Sequence, residues 1–441
     1  MSLSSLNSGP LTGSVRVPGD KSISHRALML GAVALGKTHI TGLLEGEDVL
    51  CTADAMRAMG AQVERFENGG WEVSGVGVGG LLQPRETLEM GNSGTAVRLL
   101  MGLIAGCNIK ASFKGDASLS SRPMKRVIDP LSQVGALFEA SEGGRLPLTM
   151  QGAEDPMPIT YELPVASAQV KSAVMLAGLN APGETVVIEP KPTRDHSEKM
   201  IAHFGGDVSV SERPDGSRRI VLKGRPELKG RDVIVPADIS SAAFPLVAAS
   251  IVPDSDVVVT GVGLNPLRAG VVESLKDMGA DIEILDQRTE AGEIVGDVRV
   301  RYSGLKGCTI PASRAPAQID EYPVLFVAAA NAQGQTRFEG LEELRVKESD
   351  RLSVMAEGLK ASGVEVEEGD DWLVVHGTGG TARSVPGGAT VTTHLDHRIA
   401  MSFLVLGLAA DNPVSLDDAS PIETSFPGFQ TLMESLGAKF S

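Results

Sequence analysis

At 441 residues with 42% hydrophobic side chains, the chain carries more apolar material than one core accommodates, so two domains are expected. A net charge of −16 and only 4% aromatic residues exclude a nucleic-acid surface, because the averaged field repels a polyanion and no stacking platform for bases is supplied; an acidic membrane is repelled on the same ground. Cys51, Cys107 and Cys308 stand far apart without paired spacing, which speaks for a reducing, cytoplasmic setting and against a disulfide framework. Met1 to Pro10 has neither the basic run nor the apolar centre of a targeting signal. The longest apolar stretches, such as Ile399 to Ala410, are about a dozen residues against the roughly 20 that span a bilayer, so a soluble protein is expected.

In chain order, the first signal is Val17-Pro18-Gly19-Asp20-Lys21-Ser22, which returns past the middle as Val235-Pro236-Ala237-Asp238-Ile239-Ser240. The chain is therefore two similar halves. The first copy carries Lys21, His25 and Arg26 where the second has Ile239, Ala243 and Phe244; shared letters report fold, and the unshared cations report chemistry. Each half is itself threefold. A helix ends at glycine, and alternating residues follow, at Gly60, Gly135, Gly205, Gly279, Gly363 and Gly437. Glycine just past a helix takes the left-handed conformation that ends it, and the period-two pattern predicts a strand with one buried face. In five of the six units a polar turn and a second strand follow, as in Asn68-Gly69-Gly70 before Trp71-Glu72-Val73, predicting hairpins.

Each unit also holds a helix apolar on nearly every side, predicted at Ala27 to Ala34, Ala96 to Ala105, Val170 to Ala177, Ala242 to Ala249, Val324 to Ala330 and Ile399 to Ala409. A helix without a polar face must be surrounded. The expectation is an α/β protein of two domains, each of three β-α-β-α-β-β units with buried helices inside and sheets outside. The domain boundaries fall at 21–236 for the first, and at 1–20 plus 237–441 for the second. An ordinary doubly wound α/β protein is the rival, and it requires longer parallel strands and no hairpins after the glycines.

The unusual residues collect where these helices begin, and helix entrances bind anions through free N–H donors and a partial positive charge. They read Asp20-Lys21-Ser22-Ile23-Ser24-His25-Arg26, then Gly91-Asn92-Ser93-Gly94-Thr95, Ser167-Ala168-Gln169, Asp320-Glu321 and Asp396-His397-Arg398. Taken singly, Ser22 and Ser167 read equally as N-caps and Asp320 as a capping acid. Two further segments add charge: Ser121-Arg122-Pro123-Met124-Lys125-Arg126 and Arg345-Val346-Lys347-Glu348-Ser349-Asp350-Arg351. On a helix, Lys347, Glu348 and Arg351 would share one side; alone, that pattern reads as a solvated face of weak ion pairs.

Together, Gly19-Asp20-Lys21-Ser22-x-Ser24-x-Arg26, Gly91-Asn92-Ser93-Gly94-Thr95-Ala96-x-Arg98, Arg122-Pro123-Met124, Leu344-Arg345-x-Lys347-Glu348-x-Asp350-Arg351 and Asp396-His397-Arg398-x-Ala400-Met401 follow the order and spacing of one family. From about Gly13 to Ala438 the chain resembles the 5-enolpyruvylshikimate-3-phosphate synthases. The resemblance implies the enolpyruvyl transferase fold, an inside-out α/β barrel in each of two domains, with the active site in the cleft between them. It also implies transfer of the enolpyruvyl group of phosphoenolpyruvate to the 5-hydroxyl of shikimate 3-phosphate, through a tetrahedral intermediate. No metal or organic cofactor, no nucleic acid and no membrane are implied, and a monomer is expected.

Carried over residue by residue, Lys21, Ser22, Arg26, Ser167, Ala168, Gln169, Arg194, Asp320 and Lys347 meet shikimate 3-phosphate. Lys21, Gly94, Arg122, Gln169, Arg351 and Arg398 meet phosphoenolpyruvate. Asp320 is the expected base, Glu348 the proton donor to the methylene carbon, and Lys21 the phosphate neutraliser. The run His394-Leu395-Asp396-His397 fits the family's helix entrance better than a metal site. Two positions depart from the common pattern: Ala168 replaces a second serine and Thr424 replaces a lysine, so affinity for phosphoenolpyruvate and for the inhibitor glyphosate is not carried over. Related readings on the same repeat are the enolpyruvyl transferase acting on UDP-N-acetylglucosamine, which usually has Lys-Asn at Lys21-Ser22 and a cysteine within 115–126, and the RNA 3′-phosphate cyclases, which the acidic charge disfavours. A non-catalytic repeat scaffold is the reading from another class, and it gives no reason for cations at helix entrances.

Overall fold

Each of the six apolar stretches forms a helix, and every helix begins before its apolar stretch does. In the computed structural model, which describes residues 3–379 and 385–441, they are α1 (Lys21–Ala32), α2 (Gly94–Ala105), α3 (Ala168–Gly178), α4 (Ile239–Ile251), α5 (Tyr322–Ala330) and α6 (His397–Gly407). A first turn needs capped donors more than an apolar face, which is why periodicity overlooks it. Asp20, Ser93, Ser167, Asp238 and Asp396 cap α1, α2, α3, α4 and α6, accepting from the N–H groups of Ile23, Ala96, Val170, Ser240 and Arg398. Two alternatives left open by the sequence are closed here. Ser22 lies within the first turn of α1, behind the Asp20 cap, and the N-cap position of α5 is Glu321, without a side-chain capping bond, so Asp320 is not a capping acid.

The chain divides into two compact units. Residues 19–235 with 290–292 form the N-terminal unit; residues 3–18, 236–289, 293–379 and 385–441 form the C-terminal unit. Helix α2 packs on both α1 and α3 in the first, and α4, α5 and α6 pack on one another in the second. Each trio is the centre of its own apolar core. Helices α4 and α5 are buried along their whole length, and α1 and α3 are buried after their first two residues.

Among the described residues, six four-stranded sheets lie around these helices, three per unit and all in one order, beside a two-stranded pair of Val385–Gly387 with Ala410–Asn412. In the first, Val233–Ile234 runs parallel to Lys37–Thr41, which pairs antiparallel with Trp71–Ser74, itself the hairpin partner of Gln62–Arg65. The parallel pairings extend over only two to four residues, and hairpins follow the glycines, so the doubly wound alternative fails. In the sixth sheet the hairpin partner comes from the other end of the chain: Leu3–Leu6 lies between Val414–Leu416 and Lys439–Phe440, with Leu3 opposite Leu416 and Ser5 opposite Phe440. The expected helix-ending glycines adopt left-handed backbone, Gly135 at φ 111° and Gly437 at φ 112°.

The contact that sets the spacing of two helix entrances is between α2 and α3. Their backbones approach so closely at Gly102 that a Cβ there would stand 2.6 Å from Ala173 Cα. Backbone cannot swing aside as a side chain can, so an added methyl must separate the helices. Gly102→Ala is expected to destabilise the N-terminal unit by about 1–3 kcal/mol, read as a lower midpoint in denaturant unfolding; an unchanged midpoint would show that the helices have slack here.

Candidate active site

At the α1 entrance, the Lys21 ammonium is paired with the Asp48 carboxylate of the helix Glu47–Ala58. Ser22 beside it is half-buried. Arg26, one turn on, is 4% exposed and is committed inward. Its Nε donates to Ser197 Oγ at 2.8 Å, Nη1 to the Ser22 carbonyl at 2.8 Å and Nη2 to Ser172 Oγ at 2.7 Å. Ser197 and Ser172 are bonded to each other at 2.8 Å. Arg26 thus braces α1 against α3 and the helix His196–His203.

Three parts of the N-terminal unit converge at Gly94, the first residue of α2. A Cβ there would stand 3.0 Å from a terminal nitrogen of Arg98 and 3.3 Å from one of Arg122, so two guanidiniums face this glycine. Arg98 Nη1 donates to Gln169 Oε1 at 2.7 Å, and Gln169 Nε2 donates to Thr95 Oγ1 at 3.1 Å, which orients the amide from both sides. Arg122 donates through Nη2 to Asn92 Oδ1 at 2.7 Å and to Ser118 Oγ at 3.0 Å, while Asn92 donates to Asp116 Oδ2 at 2.7 Å. Ser167 caps α3 through its hydroxyl, and Ala168 beside it offers no polar side chain. Arg194 is half-buried in the segment between the strand Glu184–Glu189 and the helix His196–His203.

In the C-terminal unit Asp320 is the focus. Its Oδ1 lies 3.7 Å from Lys347 Nζ and 3.4 Å from Arg351 Nη1, and its carbonyl accepts from Arg398 Nη1 at 3.0 Å. Lys347, Glu348 and Arg351 do not share one helical face as expected. The helix here, Arg351–Ala361, begins only at Arg351, and Lys347 and Glu348 reach inward from the loop before it. Nor is the pattern a solvated face, because Arg351 is 1% exposed. Its Nε donates to Asp396 Oδ2 at 2.8 Å, and its Nη2 lies 2.5 Å from Glu348 Oε2. Although burial works against both charges, the Asp396 and Glu348 carboxylates hold the Arg351 guanidinium firmly protonated, and Arg351 keeps the Asp396 carboxyl below its usual range. Asp396 also caps α6 and accepts from Ser349 Oγ at 3.0 Å. Breaking such a pair would strand a buried cation at a cost of about 3–5 kcal/mol.

Several buried or half-buried cations of the two units were not singled out in the sequence. Arg98 was visible in a motif but had no role. Arg268, with Nη1 2.9 Å from both Glu321 carboxylate oxygens, shares that acid with Arg398 at 3.7 Å. Lys171 is a fully buried lysine inside an apolar helix, and that mismatch was itself a readable signal. Of the two departures, the hydroxyl of Thr424 is turned onto the Pro421 carbonyl at 2.7 Å, closing a local turn.

His25, fully buried on α1, places Nδ1 2.7 Å from Thr52 Oγ1. Burial, then the charges of Lys21 and Arg26, push its pKa well below the ordinary histidine value, so the ring stays neutral at the cation-rich entrance. A depressed pKa in the folded state means that acid favours unfolding: the contribution is full above about pH 6.5 and is lost as pH falls toward the folded value. Unfolding free energy is expected to fall toward acid by about 1.4 kcal/mol per pH unit from this group, and His25→Gln to remove that share of the slope. Equal slopes for both proteins in denaturant titrations between pH 7 and 5 would refute the assignment.

Comparison with known proteins shows the family and the fold. Residues 6–433 match the profile of the family described as EPSP synthase (3-phosphoshikimate 1-carboxyvinyltransferase). The 3-phosphoshikimate 1-carboxyvinyltransferases of Parvibaculum lavamentivorans and Paramagnetospirillum magneticum are each 61% identical over 439 residues, covering 100% of this chain and 97% and 98% of theirs. The EPSP synthase of Acinetobacter baumannii, solved at 2.37 Å, superposes with a TM-score of 0.88 at 45% identity, covering 100% of this chain and 99% of that one. The enolpyruvyl transferase NikO of Streptomyces tendae, at 18% identity and a TM-score of 0.77, shares the fold. The chain belongs to the EPSP synthase (3-phosphoshikimate 1-carboxyvinyltransferase) family, has the enolpyruvyl transferase fold and is a transferase of the shikimate pathway.

Proposed function

We propose that the two clusters serve one reaction: the N-terminal unit supplies Lys21, Gly94, Arg122, Gln169 and Arg194 to the two phosphorylated substrates, and the C-terminal unit supplies Asp320, Lys347, Glu348, Arg351 and Arg398. The family's reaction moves the enolpyruvyl group of phosphoenolpyruvate onto the 5-hydroxyl of shikimate 3-phosphate. The observation that carries the reading is the placement of Asp320, a carboxylate held between Lys347 and Arg351 with Arg398 on its carbonyl.

Electrostatics explains why formal cations are needed. At an effective dielectric of about 20 and a ~5 Å gap, each pair of unit charges repels by roughly 3 kcal/mol, whereas a helix end returns about 0.3–1 kcal/mol. Dipoles alone lose, and the arginines and lysines make up the difference. In the addition step the 5-hydroxyl oxygen attacks C2 of phosphoenolpyruvate as Asp320 takes the hydroxyl proton, and Glu348 gives a proton to the methylene carbon. In the elimination step that carbon returns a proton to Glu348, the C–O bond to phosphate breaks, and Lys21 accompanies the departing phosphate, which carries away the proton held by Asp320. In the ion pair with Arg351, Glu348 is a carboxylate, so delivery requires that one of its oxygens leave Arg351 and take up a proton from solvent before the addition step; the elimination step then restores that proton to it. Arg26 acts by holding α1 against its neighbours.

We place the reaction in the cytoplasm, on the strength of three unpaired cysteines, with the enzyme acting as a monomer. Among the described residues no helix is long and apolar enough to cross a membrane.

Incubation with both substrates is expected to release phosphate, with none released when either is omitted; no release with both present would defeat the proposal. Asp320→Asn is expected to lose turnover by about 10²–10⁴ while keeping most of its shikimate 3-phosphate binding, and near-normal turnover of the folded variant would remove Asp320 from its role. Gly94→Ala presses on the side-chain ends of Arg98 and Arg122 and not on backbone, so it is expected to fold and to weaken glyphosate more than phosphoenolpyruvate. Equal loss for both ligands in inhibition and steady-state assays would contradict the steric account.

A further inference from the structure

Lys171 lies one turn into α3, four residues after Ser167, on a helix whose other residues from Val170 to Gly178 are buried and mostly apolar. Its side chain is 1% exposed, yet its ammonium has a full set of acceptors. Glu189 Oε2 and Oε1 lie 2.8 and 3.2 Å from Nζ, Glu198 Oε1 lies at 2.7 Å, and the Thr193 carbonyl at 3.3 Å. Glu189 in turn accepts from the Thr193 N–H at 2.6 Å and the Thr193 hydroxyl at 3.1 Å. Thr193 is therefore held on both sides of its Cα, by a carboxylate at its N–H and by an ammonium at its C=O. The next residue is Arg194.

Stability alone does not account for this cluster. Burying three ionisable groups costs much of what their attraction returns, and apolar side chains of similar volume commonly pack as well or better. A methionine at 171 would fill the space between α3 and the strand Glu184–Glu189, but it could not bond the Thr193 carbonyl. What the ammonium adds is direction: it orients the peptide plane between Thr193 and Arg194, and so the starting point of the Arg194 side chain, relative to the α3 entrance that carries Ser167 and Gln169.

We infer that Lys171 is a positioning residue for shikimate 3-phosphate, setting through Glu189 and Thr193 the place from which Arg194 reaches the substrate's phosphate. The inference rests on the assignment of Arg194 in the proposed function above. It assigns Lys171 no contact with either substrate and no part in proton transfer.

The test is a double-mutant cycle on Lys171→Met and Arg194→Ala, read by calorimetric binding of shikimate 3-phosphate, by KM for each substrate and by thermal unfolding. Lys171→Met is expected to weaken shikimate 3-phosphate about tenfold and to leave the KM for phosphoenolpyruvate within about twofold. Added to Arg194→Ala, it is expected to cost nothing further, since its effect passes through that arginine. A folded Lys171→Met with unaltered shikimate 3-phosphate affinity, or losses that multiply in the double variant, would assign the cluster to packing and overturn the inference. Should Lys171→Met not fold, Glu189→Gln and Thr193→Val enter the same cycle with the same criteria. Unaltered binding by Arg194→Ala would overturn the inference at its premise while leaving phosphate release intact, so the two failures are told apart.

Discussion

A helix enclosed by protein on every side can meet a ligand only at an end, and most of this structure follows from that restriction. The six central helices are apolar because they are surrounded, and their lysines, arginines and histidines lie within the first two turns, nearest the entrance where N–H donors need partners in any case. An aspartate or serine cap satisfies part of that need at five entrances. The remaining donors and the partial positive charge are what a phosphate or carboxylate can use.

The cations gathered near these ends do not wait as isolated charges. Lys21 leans on Asp48, and Arg351 on Asp396, Glu348 and Asp320. An acidic chain can therefore hold a positive cluster in place before any anion arrives, with the counter-charges fixing geometry that a lone guanidinium would lack. The two units treat equivalent entrances differently. At α1 the first turn carries Lys21 and Ser22; at α4 the serine equivalent to Ser22, Ser240, is bonded to Glu321 and Arg268, an ion pair from the protein itself. The α4 entrance is closed by the protein's own side chains, whereas at α1 Lys21 is held by Asp48 and Ser22 stays half-buried.

Buried polar groups that look merely structural connect these entrances to one another. Arg26 joins α1 to α3 through two serines, Arg98 turns the Gln169 amide, and Lys171 holds the backbone before Arg194. Each makes hydrogen bonds that an apolar replacement of the same volume could not, so each specifies orientation where hydrophobic packing specifies only proximity.

Read alone, the amino-acid sequence settled the repeat, the hairpins after each glycine, the six enclosed helices and the family, because these depend on local conformational preference, on periodicity and on the joint order of motifs. It put Gly94, Arg122, Gln169, Arg351 and Arg398 in one list and Gln169, Asp320 and Lys347 in another, without saying which would touch. Only the tertiary structure decided that Lys347 and Glu348 approach from a loop and not along a helix, that Asp20 and not Ser22 caps α1, that Arg26 points inward and that Thr424 closes a turn. The physical reason is the same in each case. A side chain's partner is fixed by packing between residues distant in sequence, such as Arg351 with Asp396 or Lys171 with Glu189, and no periodicity within one segment encodes the direction in which a long flexible side chain will turn.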